Sequence, residues 1–400
     1  MRAWAYRLSL VFVFTVPWET AVVSGLGTLS RTAGLALAAF WLLAVLYSGH
    51  FRKIGLLHVL AVLFLLWTGC SVFWTADVAM TFERFISTLQ MVVLLVILWD
   101  LYTTPSAVRS GLQAYVLGAY VIEALLIFSF LENPDISRYQ ALRTTSNGTG
   151  VILAVGIPLA WELAASARGG IKGQVLRILN YAYVPLAVFC IALTATRFVM
   201  IMAVPGMLFG VATLGRLKPA WRLAVFIAIC GTLLWFPTII PERSLERLGT
   251  VDEEIMSGDL NRRTIFWQEG IDLWKEHPLT GIGAATFERV SPSGRSAHNS
   301  FVAILAELGL VGLLLYGLIW ATVVFQAWNQ PRWESRLWMT VLAVLFVANN
   351  ALTMAHSKQS WLFFGLLAAS WSASRVRGES ETPPDVSAVS MSDPAQRAST

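Results

Sequence analysis

Residues Leu179–Leu214 read LNYAYVPLAVFCIALTATRFVMIMAVPGMLFGVATL, a run in which Arg197 is the lone charge. As one helix it would be roughly 50 Å long, whereas a bilayer's hydrocarbon core is about 30 Å thick. The run must therefore be a hairpin of two membrane helices that turns at Thr194, Ala195, Thr196 and Arg197. That reading sets the class of the whole chain. With 56% hydrophobic and 13% charged residues over 400 positions, it is far poorer in charge than soluble proteins, which carry about 25%.

Working outward at roughly 20 apolar residues per crossing, the sequence predicts an all-α polytopic membrane protein of about twelve transmembrane helices. The expected spans lie near 7–23, 31–48, 55–74, 81–102, 108–131, 147–166, 178–195, 198–215, 220–239, 299–327, 337–354 and 359–375. Trp18, Trp67, Trp74, Trp161, Trp235 and Trp333 fall near span ends, where amphipathic rings favour the headgroup level. The predicted organisation is nine helices in 1–239, one long periplasmic loop with short helices in 240–298, three helices in 299–377 and a disordered cytoplasmic tail in 378–400, rich in Ser, Pro and Asp.

Lys and Arg in short connections set the expected orientation. An inside N-terminus places Arg52, Lys53, Arg109, Arg168, Lys172, Arg177, Arg216, Lys218, Arg222, Arg332, Arg336, Arg375 and Arg377 on the cytoplasmic side. The opposite short loops hold only Arg138, Arg143, Arg197 and Lys358. Both termini are then expected inside, with the first span serving as the insertion signal rather than a cleaved leader. The net charge of +5 reads as this topology signal, not as a nucleic-acid footprint. Cys70, Cys190 and Cys230 fall within expected spans and the long loop has no cysteine, so neither a disulfide framework nor a Cys-based zinc site is expected there. There is no P-loop, dinucleotide fingerprint or internal repeat.

Chemistry concentrates between Arg262 and Leu310. Arg262 and Arg263 open an amphipathic segment (Ile265, Phe266, Ile271, Leu273, Trp274) suited to a short helix on the membrane surface. Their guanidiniums can grip a phosphate in bidentate fashion or simply snorkel to headgroups. Arg197, the lone charge of the hairpin, needs an anionic partner, an internal carboxylate such as Glu307 or Glu123, or solvent at the hairpin tip. His298 precedes Asn299 and Ser300, good capping residues, where a helix N-terminus disfavours imidazolium. A neutral imidazole there can act as a general base, or merely cap the helix.

His277 with Pro278 reads as a structural helix stop. Gly281, Ile282 and Gly283 form a turn whose functional reading is close approach to a ligand. Glu307 is an intramembrane carboxylate, with Gly309 and Gly312 beside it suggesting close helix packing. Asp252, Glu253, Glu254 and Asp259 are possible oxygen ligands for a divalent ion, or a solvated charge run. The loop's seven basic residues face ten carboxylates, which excludes a general basic patch.

The order of these features resembles the O-antigen ligase and polymerase superfamily of bacterial inner-membrane proteins. Four segments carry the resemblance. They are Ser71 to Trp74 with Glu83 and Arg84; Arg138, Tyr139 and Gln140 followed by Asn147; Thr196 with Arg197; and a long block from Arg263 through His277, Gly281, Gly283, His298 and Glu307 to Gly312. The last block is the specific one.

The resemblance implies transfer of a glycan from an undecaprenyl diphosphate carrier to an acceptor hydroxyl on the periplasmic face, with no metal and no cofactor. The acceptor would be lipid A-core, a growing polysaccharide or a protein hydroxyl. Arg197 and Arg263 would hold the diphosphate and His298 would be the base, with Arg262, Asn299 and Glu307 in support. Thr196 and Phe198 flank Arg197 where the family has Ser and a small residue, and this departure is expected to narrow the pocket. Membrane lipid is the expected environment and nucleic acid is not an expected partner. A transporter or flippase of lipid-linked saccharides is the rival reading, but it would show repeated halves. An integral scaffold would leave the placement of arginine and histidine unexplained.

Overall fold

The computed structural model describes all residues except 20–21, 24–26, 135, 143, 168, 218, 226, 228–230, 232–262 and 382–400. The described chain is helical. Its extended pairing is a two-residue antiparallel ladder, Val22–Val23 against Gly27–Thr28. The helices are α1 (Arg2–Thr15), α2 (Leu29–Ser48), α3 (Leu56–Cys70), α4 (Val78–Leu101), α5 (Pro105–Glu132), α6 (Ser146–Ala165), α7 (Ile171–Leu193), α8 (Arg197–Thr213), α9 (Arg263–Glu276), α10 (Phe287–Val290), α11 (Ser300–Trp328), α12 (Arg332–Ala351) and α13 (Lys358–Glu381).

Among the described residues eight helices are long and apolar enough to cross a membrane: α2 through α8 and α11, some with a short 3-10 extension. Twelve were expected. The first expected span is a 14-residue helix followed by a 3-10 turn at Val16–Trp18, where Pro17 removes a backbone donor. The span near 220–239 lies mostly outside the described residues. Helices do form at the last two positions, α12 and α13, but Arg332, Glu334, Arg336 and the Asn349–Asn350 pair in one, and Ser and Trp in the other, dilute their apolar runs. α13 continues to Glu381, so Gly378 falls in its last turn rather than opening the tail.

The hairpin turns as the charge pattern requires. α7 stops at Leu193, Ala195 takes φ +45°, and α8 starts at Arg197. α6 forms the centre of the bundle, packed by α5, α7, α8 and α12. Its apolar window is 78% buried against 17% for α2, which lies at the edge.

One end of the bundle is tied by paired charges. The buried Asp100 carboxylate accepts from Arg2 Nη2 at 2.8 Å, Trp41 Nε1 at 2.9 Å and the Arg52 amide at 3.2 Å. These bonds join the start of α1, the second half of α2 and the end of α4 to the connection between α2 and α3. At the same end Glu162 holds Arg216 through both carboxylate oxygens, at 2.5 and 3.2 Å. The Arg216 guanidinium also lies over Trp333, 4.2 Å from the ring centre.

Candidate functional site

The other end is built around a break in α11. Gly309 sits inside that helix with φ +64° and ψ −165°, and the backbone groups this frees find partners from elsewhere. The Ile282 and Gly283 amides donate to the carbonyls of Ala306 and Glu307 at 3.0 and 2.9 Å, Trp67 Nε1 donates to Leu308 O at 2.9 Å, and the Leu310 amide donates to Pro278 O at 2.9 Å. This is how irregular backbone survives inside a membrane helix. A Cβ on Gly309 would lie 2.3 Å from Leu279 O, and one on Gly281 2.4 Å from Glu307 C. The Gly281–Gly283 turn thus approaches the broken helix closely.

Glu307 completes the lock. Its carboxylate accepts from the Ala285 and Phe287 amides at 2.9 and 3.3 Å, so it fixes the loop after the glycine turn. The same loop docks on the α3–α4 connection: Trp74 Nε1 donates to Thr280 O, the Ala284 amide to Ser71 Oγ, Thr81 Oγ1 to Ala284 O, and Arg289 pairs with Asp77. Two of the segments that carried the resemblance, Ser71–Trp74 and Gly281–Gly312, are therefore one packed unit.

That unit presents α9 and the start of α11. α9 packs on α11 rather than lying on lipid alone: Gly270 is so close to Val302 that a Cβ would come within 2.5 Å of its Cγ1. Trp267 Nε1 donates to Ala297 O at 3.1 Å. His298 follows in the left-handed region, φ +48°, a conformation held against its intrinsic cost by both neighbours. Ala297 is fixed by Trp267, and Asn299 caps α11 by accepting from the Phe301 and Val302 amides at 2.9 and 3.2 Å. Ser300 Oγ clamps the connection between α12 and α13 through Leu352 O and the Met354 amide.

Arg263 opens α9. It is 7% exposed, its Nη1 has no hydrogen-bond partner among the described residues, and its guanidinium lies 4.0 Å from the Phe198 ring centre. Phe198, expected with Thr196 to narrow the pocket, lies beneath Arg263 as its platform. Burial lowers the Arg263 pKa from its ordinary value, and arginine remains a cation through such a shift. Its charge reaches His298. Burial first, then Arg263 and Arg295, hold the imidazole below its ordinary pKa against an opposing pull from Glu288.

Arg197 opens α8 between Thr196 and Phe198. Gly150 lets α6 and α8 meet there, since a Cβ would come within 2.2 Å of Val199 Cγ2. Arg138 stands at the same junction. Its Nη2 donates to Asn147 Oδ1 at 3.0 Å and to Thr196 Oγ1 at 3.2 Å. Tyr139 anchors that loop, its amide donating to Leu193 O at 3.0 Å and its hydroxyl to Asn133 O at 2.6 Å.

A cavity of about 590 Å³ opens here, lined by Ser129, Arg138, Gln140, Asn147 and His298 among others. α6, a 20-residue helix capped by Thr145, points its N-terminus at this space, adding partial positive charge.

The structure thus brings Arg197, Arg263 and His298 to one region and adds Arg138 and Asn147, to which the sequence alone assigns no role. The signal that could have found Arg138 was its place in a cation-poor loop next to Asn147. Arg262 lies outside the described residues, as do Asp252, Glu253, Glu254 and Asp259. Of the internal carboxylates, Glu19 pairs with Lys358 and Glu162 with Arg216. Both oxygens of Glu123 are buried without a hydrogen-bond partner among the described residues.

These features define a multi-pass helical membrane protein with a cationic, histidine-bearing cavity at one end of its bundle. Residues 182–317, which hold Arg197, Arg263, His298 and the broken helix, match the family described as O-antigen ligase. The exopolysaccharide production protein ExoQ of Rhizobium meliloti (strain 1021) is 26% identical over 285 residues, covering 66% of this chain and 63% of that protein. The match therefore spans somewhat less than two thirds of that relative's length. The chain is thus a multi-pass helical membrane protein in which residues 182–317 are similar to the O-antigen ligase family.

Proposed function

We propose that this protein is a glycosyltransferase that moves a glycan from undecaprenyl diphosphate to an acceptor hydroxyl, at the periplasmic face of a bacterial inner membrane, with both termini cytoplasmic. The observation that supports the reading is the meeting of a buried Arg263, whose Nη1 has no hydrogen-bond partner among the described residues, with a half-buried His298 of depressed pKa beside the cavity.

Arg263 and Arg197, aided by Arg138, hold the diphosphate. Fixed guanidiniums stabilise the negative charge that grows on the leaving oxygen. His298, neutral because burial and Arg263 disfavour its cation, takes the proton of the acceptor hydroxyl. The acceptor oxygen then bonds to the anomeric carbon as the bond from that carbon to the phosphate oxygen breaks. The lipid diphosphate leaves with the electron pair, and His298 later returns its proton to water. The arginines supply the charge stabilisation that a divalent ion would otherwise give, so the reaction proceeds without metal. Support for a growing polysaccharide as acceptor, rather than lipid A-core, comes from the exopolysaccharide role in the relative's name.

The test uses the purified full-length protein, a lipid-diphosphate glycan donor and candidate acceptors, with EDTA present. Transfer is expected from wild type, a rate lower by orders of magnitude from His298→Ala although it still binds donor, and weakened donor binding in Arg263→Ala. Transfer that EDTA stops overturns the metal-independent chemistry. Donor movement between leaflets with full rate in His298→Ala would mean a transporter instead.

A further inference from the structure

Away from the cavity, a narrow slot runs between α2 and α4 at the edge of the bundle. Leu37 and Ala38 of α2 face Met91, Leu94 and Ile97 of α4 across it. Gly34 permits α2 to settle on Phe12, which closes the floor: a Cβ there would be 3.0 Å from the Phe12 ring. One end has a different chemistry, being lined by Ser30, Arg31, Gln90 and Lys358. Lys358 Nζ lies 2.8 Å from Glu19 Oε2 and 3.4 Å from Ser30 Oγ. Arg31 is exposed and takes part in no ion pair among the described residues.

Two cations against one carboxylate leave the mouth with a net charge of +1, the complement of a single phosphodiester. Its level fits as well. Lys358 follows directly on the Leu352 connection that borders the His298 cavity, so the cationic mouth lies at the cavity end of the bundle. From Ser30 to Ala38 the slot is about 12 Å long at 1.5 Å per residue, close to the roughly 15 Å depth of one leaflet's hydrocarbon. One acyl chain fills that length, whereas the far longer polyisoprenyl tail of the proposed donor overruns it.

We infer that the slot is a binding site for one anionic phospholipid, with an acyl chain between α2 and α4 and its phosphate on Arg31 and Lys358. The inference is independent of the transfer reaction, because none of these residues borders the His298 cavity.

The experiment titrates phosphatidylglycerol into the detergent-purified full-length protein and counts retained lipid by native mass spectrometry. Phosphatidylethanolamine, diacylglycerol and inorganic phosphate serve as comparison probes. One tightly held phosphatidylglycerol is expected, with at least tenfold weaker binding after Arg31→Gln plus Lys358→Gln. Ala38→Phe, which plugs the slot and leaves the charges intact, should remove the same lipid. The exposed Arg31→Gln change alone keeps the test decisive if the plugged variant fails to fold, and should weaken retention by at least threefold. Equal retention of diacylglycerol, displacement by inorganic phosphate, or unchanged binding in the charge variants would overturn the site.

Discussion

At the end of the bundle where α1 begins, Asp100 takes hydrogen bonds from Arg2, Trp41 and Arg52, and Glu162 grips Arg216. At the cavity end Arg263 is just as deeply placed, yet one guanidinium nitrogen has no partner among the described residues and the ring beneath it is Phe198. Removing a charge from water is costly unless a counter-charge or hydrogen bonds compensate. The first end satisfies that condition internally and acts as a fastener. The second leaves one Arg263 nitrogen without a partner among the described residues, and it holds His298 in a conformation most residues avoid. Unmet polar capacity of this kind, together with backbone strain, marks a binding site more firmly than the number of cations does.

The sharpest way to break the comparison is to remove the proposed base. His298→Ala should lower transfer by about 10²–10⁴-fold, the usual range for a lost general base, with donor affinity within about threefold of wild type; retained turnover would reduce His298 to a turn residue. Arg263→Ala should weaken donor binding about 10–100-fold, as expected for a charge-assisted contact of about 1.5–3 kcal/mol. Arg2→Gln at the opposite end should leave donor binding unchanged and lower only the melting temperature. If both arginine variants lose stability and neither loses donor affinity, the two ends do not differ in kind.

Smaller effects sharpen the picture. Gly309→Ala places a Cβ against Leu279 O at positive φ and should cost about 3 kcal/mol or more, read as loss of folded protein. Asp100→Asn should cost about 1–3 kcal/mol by thermal unfolding, with turnover per folded molecule intact.

The smallest effect is the pH profile. A base works only when unprotonated, so kcat/KM falls as pH drops through the His298 pKa. Glu288 raises that pKa and Arg295 lowers it. Glu288→Gln should therefore move the acid limb to lower pH and Arg295→Gln to higher pH, each by roughly a few tenths of a unit. Limbs that stay put, or move the other way, would place the titrating group elsewhere.

Much of the fold was legible because membrane burial writes itself locally. The run Leu179–Leu214 could only be a hairpin, and α2 through α8 and α11 fall where apolar length puts them. The ends were harder to read. Pro17 cuts the first helix short, and α12 and α13 mix polar residues into buried faces, which composition alone does not separate from a full crossing. In the candidate site, Arg197, Arg263 and His298 were visible as residue types in odd places, but their neighbours were not. Glu307 looked like a partner for Arg197, and in fact it holds the Ala285 and Phe287 amides. The Gly281–Gly283 turn looked like a ligand cradle, and in fact it fills the break at Gly309. Phe198 also supports Arg263, a contact that its place beside Arg197 in the sequence does not reveal.

By itself the sequence determined that the chain is a membrane protein, where most helices begin and end, and which end carries the basic residues, because the cost of burying a polar group in lipid acts on each segment separately. Only the tertiary structure decided that α11 breaks, that α9 rests on it, and that Arg138 and His298 line one cavity with Arg197 and Arg263 in the same region. Those outcomes depend on backbone groups freed in one segment being satisfied by another far along the chain, and no local pattern records such a partnership.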